Sequence, residues 1–537
     1  MPVGRAAWAQ SRIVYLMSVR QLVFLLVLAG APLAAGQPWP QGPGPQGDFT
    51  AGPTQASVEW SVSLDRHIAW RTELPETGQS SPVVWGDALF VTTMKPVSAD
   101  AEIGSDIVVW RLSAKTGAVV WKQEVEGEYA TQLSAPFGDA SSPAPVTDGK
   151  HVWALNPAGR LACFDMDGKL VWSRKSVSVV RTRPVLHNGL LLFHRQEYLP
   201  DDVGHFTAEN VDAPRERWTQ LQALDAATGE PRWLSECGVN MGALPLVQRR
   251  KDGLEVLVVG RGGGHGPPEK PEGVSMIRAD NGKTLWTLPL EGFMSTQTYP
   301  LFDGQALVFH ESEHLWVDER TGKITKRVSV TKDVPVRRWT PEGRRTVRET
   351  LEEHARPITQ QSNLLVGPYH YFRAYDRNYL GRVDARSGAV EYVELPLQVL
   401  REPGKPEQTL WSAAQGEGKL APLEQKRFRG NIAYTSLRHN EVRNSRGLRV
   451  MGDDRAIGNG WGHTASPIPT AFGDRLYVPI LSGLVFVIDA SAETLDEGAV
   501  LAINDLGPLG QAFTRASVTT DGVRIYAHTI REVLAIE

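Results

Sequence analysis

Seven polar residues stand just before apolar runs that recur along the chain, and together they could bind a small polar molecule. They are Gln79, Asp139, Arg181, Gln297, Gln360, His463 and Arg515. Arginine binds carboxylates through a planar fork of donors, and glutamine both donates and accepts hydrogen bonds. The set could hold an anionic or polar ligand if the fold gathers it around one opening. The alternative is a water-filled channel with polar walls.

Other patterns that could support chemistry are weak. The glycine-rich run at 262–266 lacks the Lys-Ser/Thr pair of a phosphate-binding loop and opens no helix. His194, His205 and His265 are interpreted as loop residues without the spacing of metal ligands. No Ser-His-Asp arrangement is recognisable. The sequence therefore identifies no catalytic residue and predicts no metal site.

A repeated turn-and-strand unit must position the seven residues, and its fullest copy is 223–233. Asp225 can accept hydrogen bonds from the amides of the turn, Gly229 supplies the positive φ that the turn needs, and Trp233 is a large apolar body. Further copies or their strands contain Trp70, Trp121, Trp172 and Trp286. The recurrence predicts a repeat architecture.

A second pattern lies upstream of each copy. A Ser/Thr-rich step is followed by proline, an apolar run, a glycine turn and another apolar run, as at 80–93. This pattern occurs eight times, so each unit is predicted to form two hairpins, with strands A to D. We expect an all-β, eight-bladed propeller of four-stranded antiparallel blades. Seven blades remain an alternative because 393–463 is ambiguous, and an irregular β-sandwich is another.

The two ends of the chain are predicted to share one blade. Residues 67–74 resemble a strand D with its tryptophan, without strands A to C before it. The last unit stops after strand C, at 531–537. The N-terminal strand should therefore complete the last blade and pair its open edge.

Domain boundaries follow from composition. Residues 1–36 are interpreted as a signal peptide, with Arg12 and Arg20 before an apolar run and Ala34-Ala35-Gly36 as a cleavage site; Met17 is an alternative start. Residues 37–66 form a lead-in expected to wrap the ring, and 67–537 form the propeller with a large insertion at 393–463. Residues 341–356 could form a short helix. These features predict an exported, periplasmic or extracellular protein without a transmembrane segment.

Charge and cysteine content exclude some classes of protein. The formal net charge of −4 gives no reason to expect nucleic acid as a partner, and we expect a monomer. The chain has 2 cysteines, Cys163 and Cys237, placed by the repeat near opposite rims. A disulfide is possible in an exported protein, but Cys163 as a small core residue is the favoured interpretation.

Long connections fall mainly between strands B and C and between strands D and A. In an up-and-down blade these links emerge on one face of the ring, whereas the short turns emerge on the other. Function tends to reside on loops held by a rigid scaffold, so we expect the binding surface on the B–C/D–A face.

The pattern Ala-x-Asp-x-x-Thr-Gly-x-x-x-Trp at 223–233 resembles the tryptophan-docking motif of the pyrroloquinoline quinone (PQQ)-like β-propeller repeat. The stretch from Trp39 to Asp87 is also similar to exported bacterial proteins of that family. The resemblance implies one of two functions. Quinoprotein alcohol dehydrogenases bind PQQ and calcium in the central funnel, whereas the propeller of outer-membrane-protein assembly binds proteins without a cofactor.

The chain departs from both branches. It lacks the adjacent cysteine pair of the dehydrogenases and a convincing match to their calcium ligands and catalytic aspartate, and it lacks the lipid-anchor cysteine of the assembly protein. The sequence interpretation is a non-catalytic exported propeller that binds a protein or glycan, with no cofactor expected. The alternative is a PQQ-dependent oxidoreductase acting on an alcohol or sugar.

Overall fold

Eight sheets, each built on four antiparallel strands, follow one another along the chain in the computed structural model. The structure describes residues 37–537 except 75–79, 98–102, 133, 136–137, 140–142, 176–181, 197–214, 216–217, 241, 263–269, 292–296, 352–357, 375–376, 412–466 and 509–511. The predicted eight-bladed, all-β propeller is confirmed, and the seven-bladed alternative is wrong. No helix among the described residues has the length and hydropathy needed to cross a bilayer.

The inner two strands of blades 1 to 8 are short and mostly apolar. Strands A are Val83–Trp85, Val146–Thr147, Val185–His187, Val247–Arg249, Leu301–Phe302, Ile358–Val366, Thr470–Phe472 and Thr519–Thr520. Strands B are Ala88–Met94, His151–Asn156, Leu190–Arg195, Glu255–Arg261, Gln305–His310, Tyr369–Ala374, Arg475–Pro479 and Ile525–His528.

The outer two strands complete each blade. Strands C are Ile107–Ser113, Arg160–Asp165, Gln220–Asp225, Gly273–Arg278, Glu313–Asp318, Tyr379–Asp384, Leu484–Asp489 and Glu532–Ile536. Strands D are Val119–Val125, Leu170–Lys175, Pro231–Leu234, Thr284–Pro289, Ile324–Ser329, Val390–Glu394, Val500–Asp505 and, for blade 8, Ile68–Glu73.

Smaller elements extend this frame. The hairpin Val334–Thr340/Gly343–Glu349 adds two strands to blade 6 by pairing in parallel with its strand D. The sequence of 341–356 could form a short helix, but residues 343–349 form a strand, because the sheet edge and the alternation of apolar residues override the helical preference of Glu and Arg. Residues 352–356 lie outside the described residues. The remaining elements are the strands Thr50–Ala51, Ile103–Gly104, Thr131–Gln132, Ser134–Ala135, Gly138–Asp139, Gln398–Leu400 and Gln408–Leu410, and the 3₁₀ helix Glu497–Ala499.

Burial follows the position of a strand in its blade. Strand B of blade 1, Ala88–Met94, is buried at every residue because neighbouring blades cover both of its faces. Strand D of blade 2, Leu170–Lys175, is largely exposed along its length. The cores therefore lie between blades and not within single sheets.

Tryptophan side chains of strand D pack on the glycine turn of the following blade. A Cβ added to Gly229 would lie 3.0 Å from the Trp172 ring, and one added to Gly168 would lie 2.9 Å from the Trp121 ring. The same contact joins Trp70 to Gly117, Trp233 to Gly282 and Trp286 to Gly322. The repeated tryptophan is therefore an interblade contact, as its size predicts.

An aspartate organises the turn that receives Trp172. One Asp225 carboxylate oxygen accepts hydrogen bonds from the amides of Ala227 (3.0 Å) and Thr228 (2.9 Å). The other accepts from Arg232 at 2.6 Å, and this contact lowers the pKa of Asp225 to about 2. Gly229 has φ +73°, a left-handed conformation that favours glycine. The motif thus fixes the turn on which the ring packs.

The two ends of the chain meet in blade 8. The strand Ile68–Glu73 pairs antiparallel with Glu532–Ile536, with Ile68 opposite Ile536 and Glu73 opposite Glu532. Trp70 then donates through Nε1 to the carbonyl of Ala114 in blade 1, at 3.0 Å. The predicted closure by the N-terminal strand is confirmed.

The lead-in lies along the inner strands instead of around the ring. The amide of Trp39 donates to the Val84 carbonyl at 2.8 Å, and the Pro40 carbonyl accepts from the amide of Thr147 at 2.8 Å. Thr50–Ala51 pairs in parallel with strand A of blade 7. Trp39 and Phe49 are each 0% exposed.

These contacts fall near the A–B turns. Gln55 donates to the carbonyl of Gly522 in the A–B turn of blade 8 (2.9 Å), and Gly473 in that of blade 7 donates to Ala51 (2.9 Å). The lead-in therefore crosses the channel at the end with the short turns. The opposite end is the B–C/D–A face.

A chain of buried polar side chains joins blades 5 and 6. His314 Nε2 lies 2.9 Å from His370 Nδ1, and His370 Nε2 lies 2.8 Å from the amide oxygen of Asn363. The Thr298 hydroxyl also donates to that oxygen. Burial lowers the pKa of His370 to about 3 and the pKa of His314 well below its ordinary value. Both imidazoles are therefore neutral at pH 7.

Replacing Gly229 with alanine should destabilise the protein more than replacing Gly189. Both residues have positive φ, +73° and +76°, so both variants bear the same left-handed strain. A Cβ added to Gly229 would lie 3.0 Å from the Trp172 ring, whereas a Cβ added to Gly189 would have no atom within 4 Å. We expect Gly229→Ala to lose about 1–3 kcal/mol more in urea unfolding, the cost of overpacking. Equal losses would contradict the docking contact.

Acid should destabilise the protein through its buried histidines. Their pKa in the folded state is lowered to about 3–4, whereas their pKa in the unfolded state is about 6.5. As pH falls from about 6.5 toward the folded values, the unfolded state binds protons that the folded state does not, so the free energy of unfolding decreases. His370→Leu should therefore remove about 2 kcal/mol of the difference in unfolding free energy between pH 7.5 and pH 5.0.

Urea unfolding at the two pH values measures this difference. The pH-independent effect of the substitution on the unfolding free energy is the same at both pH values and cancels. The remaining difference reports only the protonation of His370 that is coupled to unfolding. His67→Asn at an exposed position controls for the loss of one histidine. An unchanged pH dependence in His370→Leu would show that His370 is protonated in the folded protein.

Candidate functional site

The seven predicted ligand-binding residues divide into three groups. Gln79, Arg181 and His463 lie outside the described residues. Asp139 and Gln360 lie in the strands Gly138–Asp139 and Ile358–Val366, but their side chains are outside the described part. Gln297 and Arg515 are described. Their gathering around one opening therefore stays a prediction.

The two described members lie at the starts of blades 5 and 8. The carbonyl of Gln297 accepts from the Leu244 amide at 2.9 Å, and its side-chain oxygen is buried without a hydrogen-bond partner among the described residues. Arg515 is 5% exposed, with its guanidinium 5.4 Å from the centre of the Phe513 ring. Both residues are thus held in place by the inner part of the ring.

Three basic residues occupy the same register position on strand B of different blades. Leu192, Tyr371 and Tyr526 pair with strand A at equivalent places, and the basic residue follows two positions later. These residues are His194, Arg373 and His528, each at most 1% exposed. Strand B ends at the B–C/D–A face, so this position lies toward the open end of the channel.

Arg373 is a buried cation without a counter-ion. It is 1% exposed, and Nε, Nη1 and Nη2 all lack a hydrogen-bond partner within the described ranges. Burial lowers the pKa of Arg373 to about 9, which still leaves the guanidinium charged at pH 7. An unpaired buried charge is costly, so this position is suited to an anionic group of a ligand.

The two histidines at the same register are neutral. His528 Nδ1 lies 2.8 Å from the Ser80 carbonyl, so Nδ1 carries the proton, and Nε2 has no partner in the described structure. His194 Nδ1 is hydrogen-bonded to the Thr182 hydroxyl, and its Nε2 is likewise unpartnered there. Burial lowers the pKa of His528 to about 4 and that of His194 to about 3.

Sequence analysis missed these residues and placed His194 on a loop. That interpretation is wrong, because His194 lies inside the strand Leu190–Arg195. A signal was available: a polar residue interrupts an apolar run in Leu-Leu-Leu-Phe-His, Tyr-Phe-Arg and Ile-Tyr-Ala-His. Such an interruption at a repeated register marks the open end of the channel.

Metal-binding and thiol groups do not add to the described site. Within the described ranges, no group of three or more His, Cys, Asp or Glu side chains could hold a metal ion. Cys163 and Cys237 are buried in the cores between different blades and do not form a disulfide. Burial raises the pKa of the Cys163 thiol to about 12, so it is not a nucleophile at neutral pH.

Comparison with known proteins supports the resemblance to the PQQ-like β-propeller repeat family. The family model described as outer membrane protein assembly factor BamB matches residues 64–183. A polyvinylalcohol dehydrogenase of Sphingopyxis sp. (strain 113P3) is 25% identical over 249 residues, covering 42% of this chain and 35% of the relative. The chain thus matches about a third of the length of this curated relative.

A solved structure shares the fold. The quinohemoprotein alcohol dehydrogenase from Comamonas testosteroni superposes with a TM-score of 0.52 at 14% identity, covering 94% of this chain and 80% of that chain. At this identity the likeness shows the fold alone. A europium-containing methanol dehydrogenase has a TM-score of 0.49 at 13% identity, covering 92% of this chain and 90% of that chain.

The comparisons correct two expectations. The interpretation as a non-catalytic propeller that binds a protein or glycan is contradicted by the curated relative, which is a dehydrogenase. The expectation of no cofactor is contradicted as well, because a dehydrogenase such as this relative requires an electron acceptor that side chains do not supply. With the match over 64–183 and the eight-bladed fold, the resemblance predicted from the tryptophan-docking motif is confirmed: the chain is similar to the PQQ-like β-propeller family.

Proposed function

We propose that this protein is a quinone-dependent oxidoreductase that binds PQQ at the open end of the channel and oxidises an alcohol. The observation that carries the proposal is Arg373, whose buried guanidinium has no partner among the described residues. Support also comes from the curated relative, which is a polyvinylalcohol dehydrogenase. An enzyme that matches only part of that relative need not share its substrate.

The described residues fit the anionic part of the cofactor. PQQ is a tricarboxylate, and a guanidinium binds a carboxylate through two parallel charge-assisted hydrogen bonds. Arg373 would hold one such group, and the bond would compensate a charge that is otherwise buried alone. When bound, PQQ supplies a two-electron acceptor for the oxidation of an alcohol to a carbonyl compound.

Other side chains would set the environment of the reaction. His528 is neutral, with its proton on Nδ1, so its Nε2 can accept a hydrogen bond from a hydroxyl group. The lead-in closes the A–B end through Trp39 and Phe49, both fully buried, which excludes water from that side. Exclusion of water strengthens the charge interaction at Arg373.

We also propose that the enzyme is exported. The order of Arg12 and Arg20, an apolar run, and small residues at 34–36 supports a signal peptide. Quinone enzymes of this kind would then meet an alcohol substrate outside the cytoplasm. The test is N-terminal sequencing of the mature protein, with cleavage expected near Gly36.

Arg373→Met should weaken PQQ binding about 30-fold or more, because truncating one partner of a buried charge pair costs about 2–5 kcal/mol. Titration of PQQ with calcium into the full chain, followed by tryptophan fluorescence, measures the affinity. Dye-linked oxidation of 2-pentanol measures the activity. The ligand-free variant should unfold at the same or a higher temperature than the wild type, since an unpaired buried charge is removed.

Arg386→Met is the matched control. Arg386 is exposed in the C–D turn of the same blade and pairs with Asp384 at 3.2 Å. It should bind PQQ with wild-type affinity. Absence of saturable PQQ binding to the wild type, or unchanged binding in Arg373→Met, would overturn the proposal.

A further inference from the structure

Three buried polar side chains gather at the open end of blade 3. Thr219 is 3% exposed, Gln196 is 1% exposed and His194 is 0% exposed. The Thr219 hydroxyl, the Gln196 side-chain oxygen and His194 Nε2 have no hydrogen-bond partner in the part of the chain that the structure describes. Each such atom costs free energy when buried unpaired, so three together call for an explanation.

The strand register places the three side chains on one face of the blade. His194 pairs with Leu221 and Arg195 with Gln220, so continuation of the register sets Gln196 opposite Thr219. Alternation along strand B puts His194 and Gln196 on the same side, about 6.6 Å apart along the strand. The three side chains therefore lie at neighbouring positions on one face of the blade.

The face of blade 3 that carries these three side chains packs against blade 4. Leu192 and Leu221 share it and belong to one core cluster with Val256 and Val258 of blade 4. The apolar interface thus ends in polar groups where strand B reaches the B–C/D–A face. Arg373, on blade 6, is three blades further around the ring, so the polar group on blade 3 lies on a different wall of the channel.

The hydrogen-bonding capacity of His194, Gln196 and Thr219 favours a neutral ligand with hydroxyl groups. The Gln196 oxygen only accepts hydrogen bonds, the Thr219 hydroxyl both donates and accepts, and His194 Nε2 does either according to its tautomer. A carboxylate or phosphate would bring only acceptors to a site that contains acceptors itself. An alcohol hydroxyl both donates and accepts, and two hydroxyls on one chain can engage two of the three atoms.

We propose that His194, Gln196 and Thr219 form a substrate subsite that binds a second hydroxyl of a neutral diol or polyol, while another hydroxyl is oxidised. The inference rests on the proposed function for the reaction, but the binding of the diol itself does not depend on it. The enzyme would therefore prefer diols and hydroxylated polymers to simple alcohols of the same carbon skeleton.

The test compares 2,4-pentanediol with 2-pentanol, which differ by one hydroxyl. In the wild type, the KM for the diol should be about tenfold lower than for 2-pentanol. In Gln196→Leu/Thr219→Val, the KM for the diol should rise about tenfold, with kcat and the KM for 2-pentanol within twofold, because only hydrogen bonds to the second hydroxyl are lost. Equal KM values for both alcohols in the wild type would overturn the proposal.

Gln305→Leu/Thr325→Val is the matched control. It replaces the same two residue types, which hydrogen-bond to each other at 2.7 Å near the A–B turn of blade 5. It should leave diol selectivity unchanged. Loss of selectivity in this control as well would overturn the proposal, since the effect would then not be local.

Two measurements without cofactor separate this inference from the proposed function. Saturation-transfer NMR should show 2,4-pentanediol binding to the wild type without PQQ, and a weaker signal in Gln196→Leu/Thr219→Val. The ligand-free variant should unfold at the same or a higher temperature, because unpaired buried polar atoms are replaced by apolar ones. A lower unfolding temperature with unchanged diol binding would assign the three residues a structural role and overturn the proposal, even if alcohol oxidation is observed.

Discussion

The contact of a tryptophan ring with a glycine turn is the interaction on which the ring depends. It joins each of the blade pairs from 8–1 to 4–5, as in Trp172 on Gly229. Only glycine permits both the positive φ of the turn and the close approach of the ring. Each contact sets the angle between two sheets, and the pairing of Ile68–Glu73 with Glu532–Ile536 joins the two ends of the chain within blade 8. Because the sheets are fixed, residues at equal register in different blades lie at the same level around the axis of the ring.

The lead-in occupies one end of the channel, so a ligand would bind toward the other end. The lead-in satisfies inner-strand backbone groups at Val84, Thr147 and Gly473, and it buries Trp39 and Phe49 near the short turns. The unpartnered atoms of Arg373 and His194 lie toward the B–C/D–A face, away from the end that the lead-in occupies. A ligand that pairs with these atoms would therefore bind on the side of the ring opposite the lead-in.

The fold could be predicted from the sequence because its signals are local and repeated. The turn at Asp225 and Gly229 needs particular residue types, and the offset of 67–74 against 531–537 reveals the closure. The site could not be predicted in the same way. Arg373 and His194 lie on strands within apolar runs, and only the register between blades shows that they are equivalent. The hairpin at 334–349 was also missed, since pairing with strand D of blade 6 is a tertiary effect.

The functional correction has a physical basis. The non-catalytic interpretation rested on an absent adjacent cysteine pair and an unrecognised calcium set, but neither absence bears on whether an anion can bind. A buried guanidinium without a partner is positive evidence, because a sequence selected only for stability would pair or replace it. The same reasoning extends to His194, Gln196 and Thr219. Unpaired polar atoms persist in a well-packed ring where a ligand compensates them, and their chemistry, cationic on blade 6 and neutral on blade 3, argues for two different ligand groups.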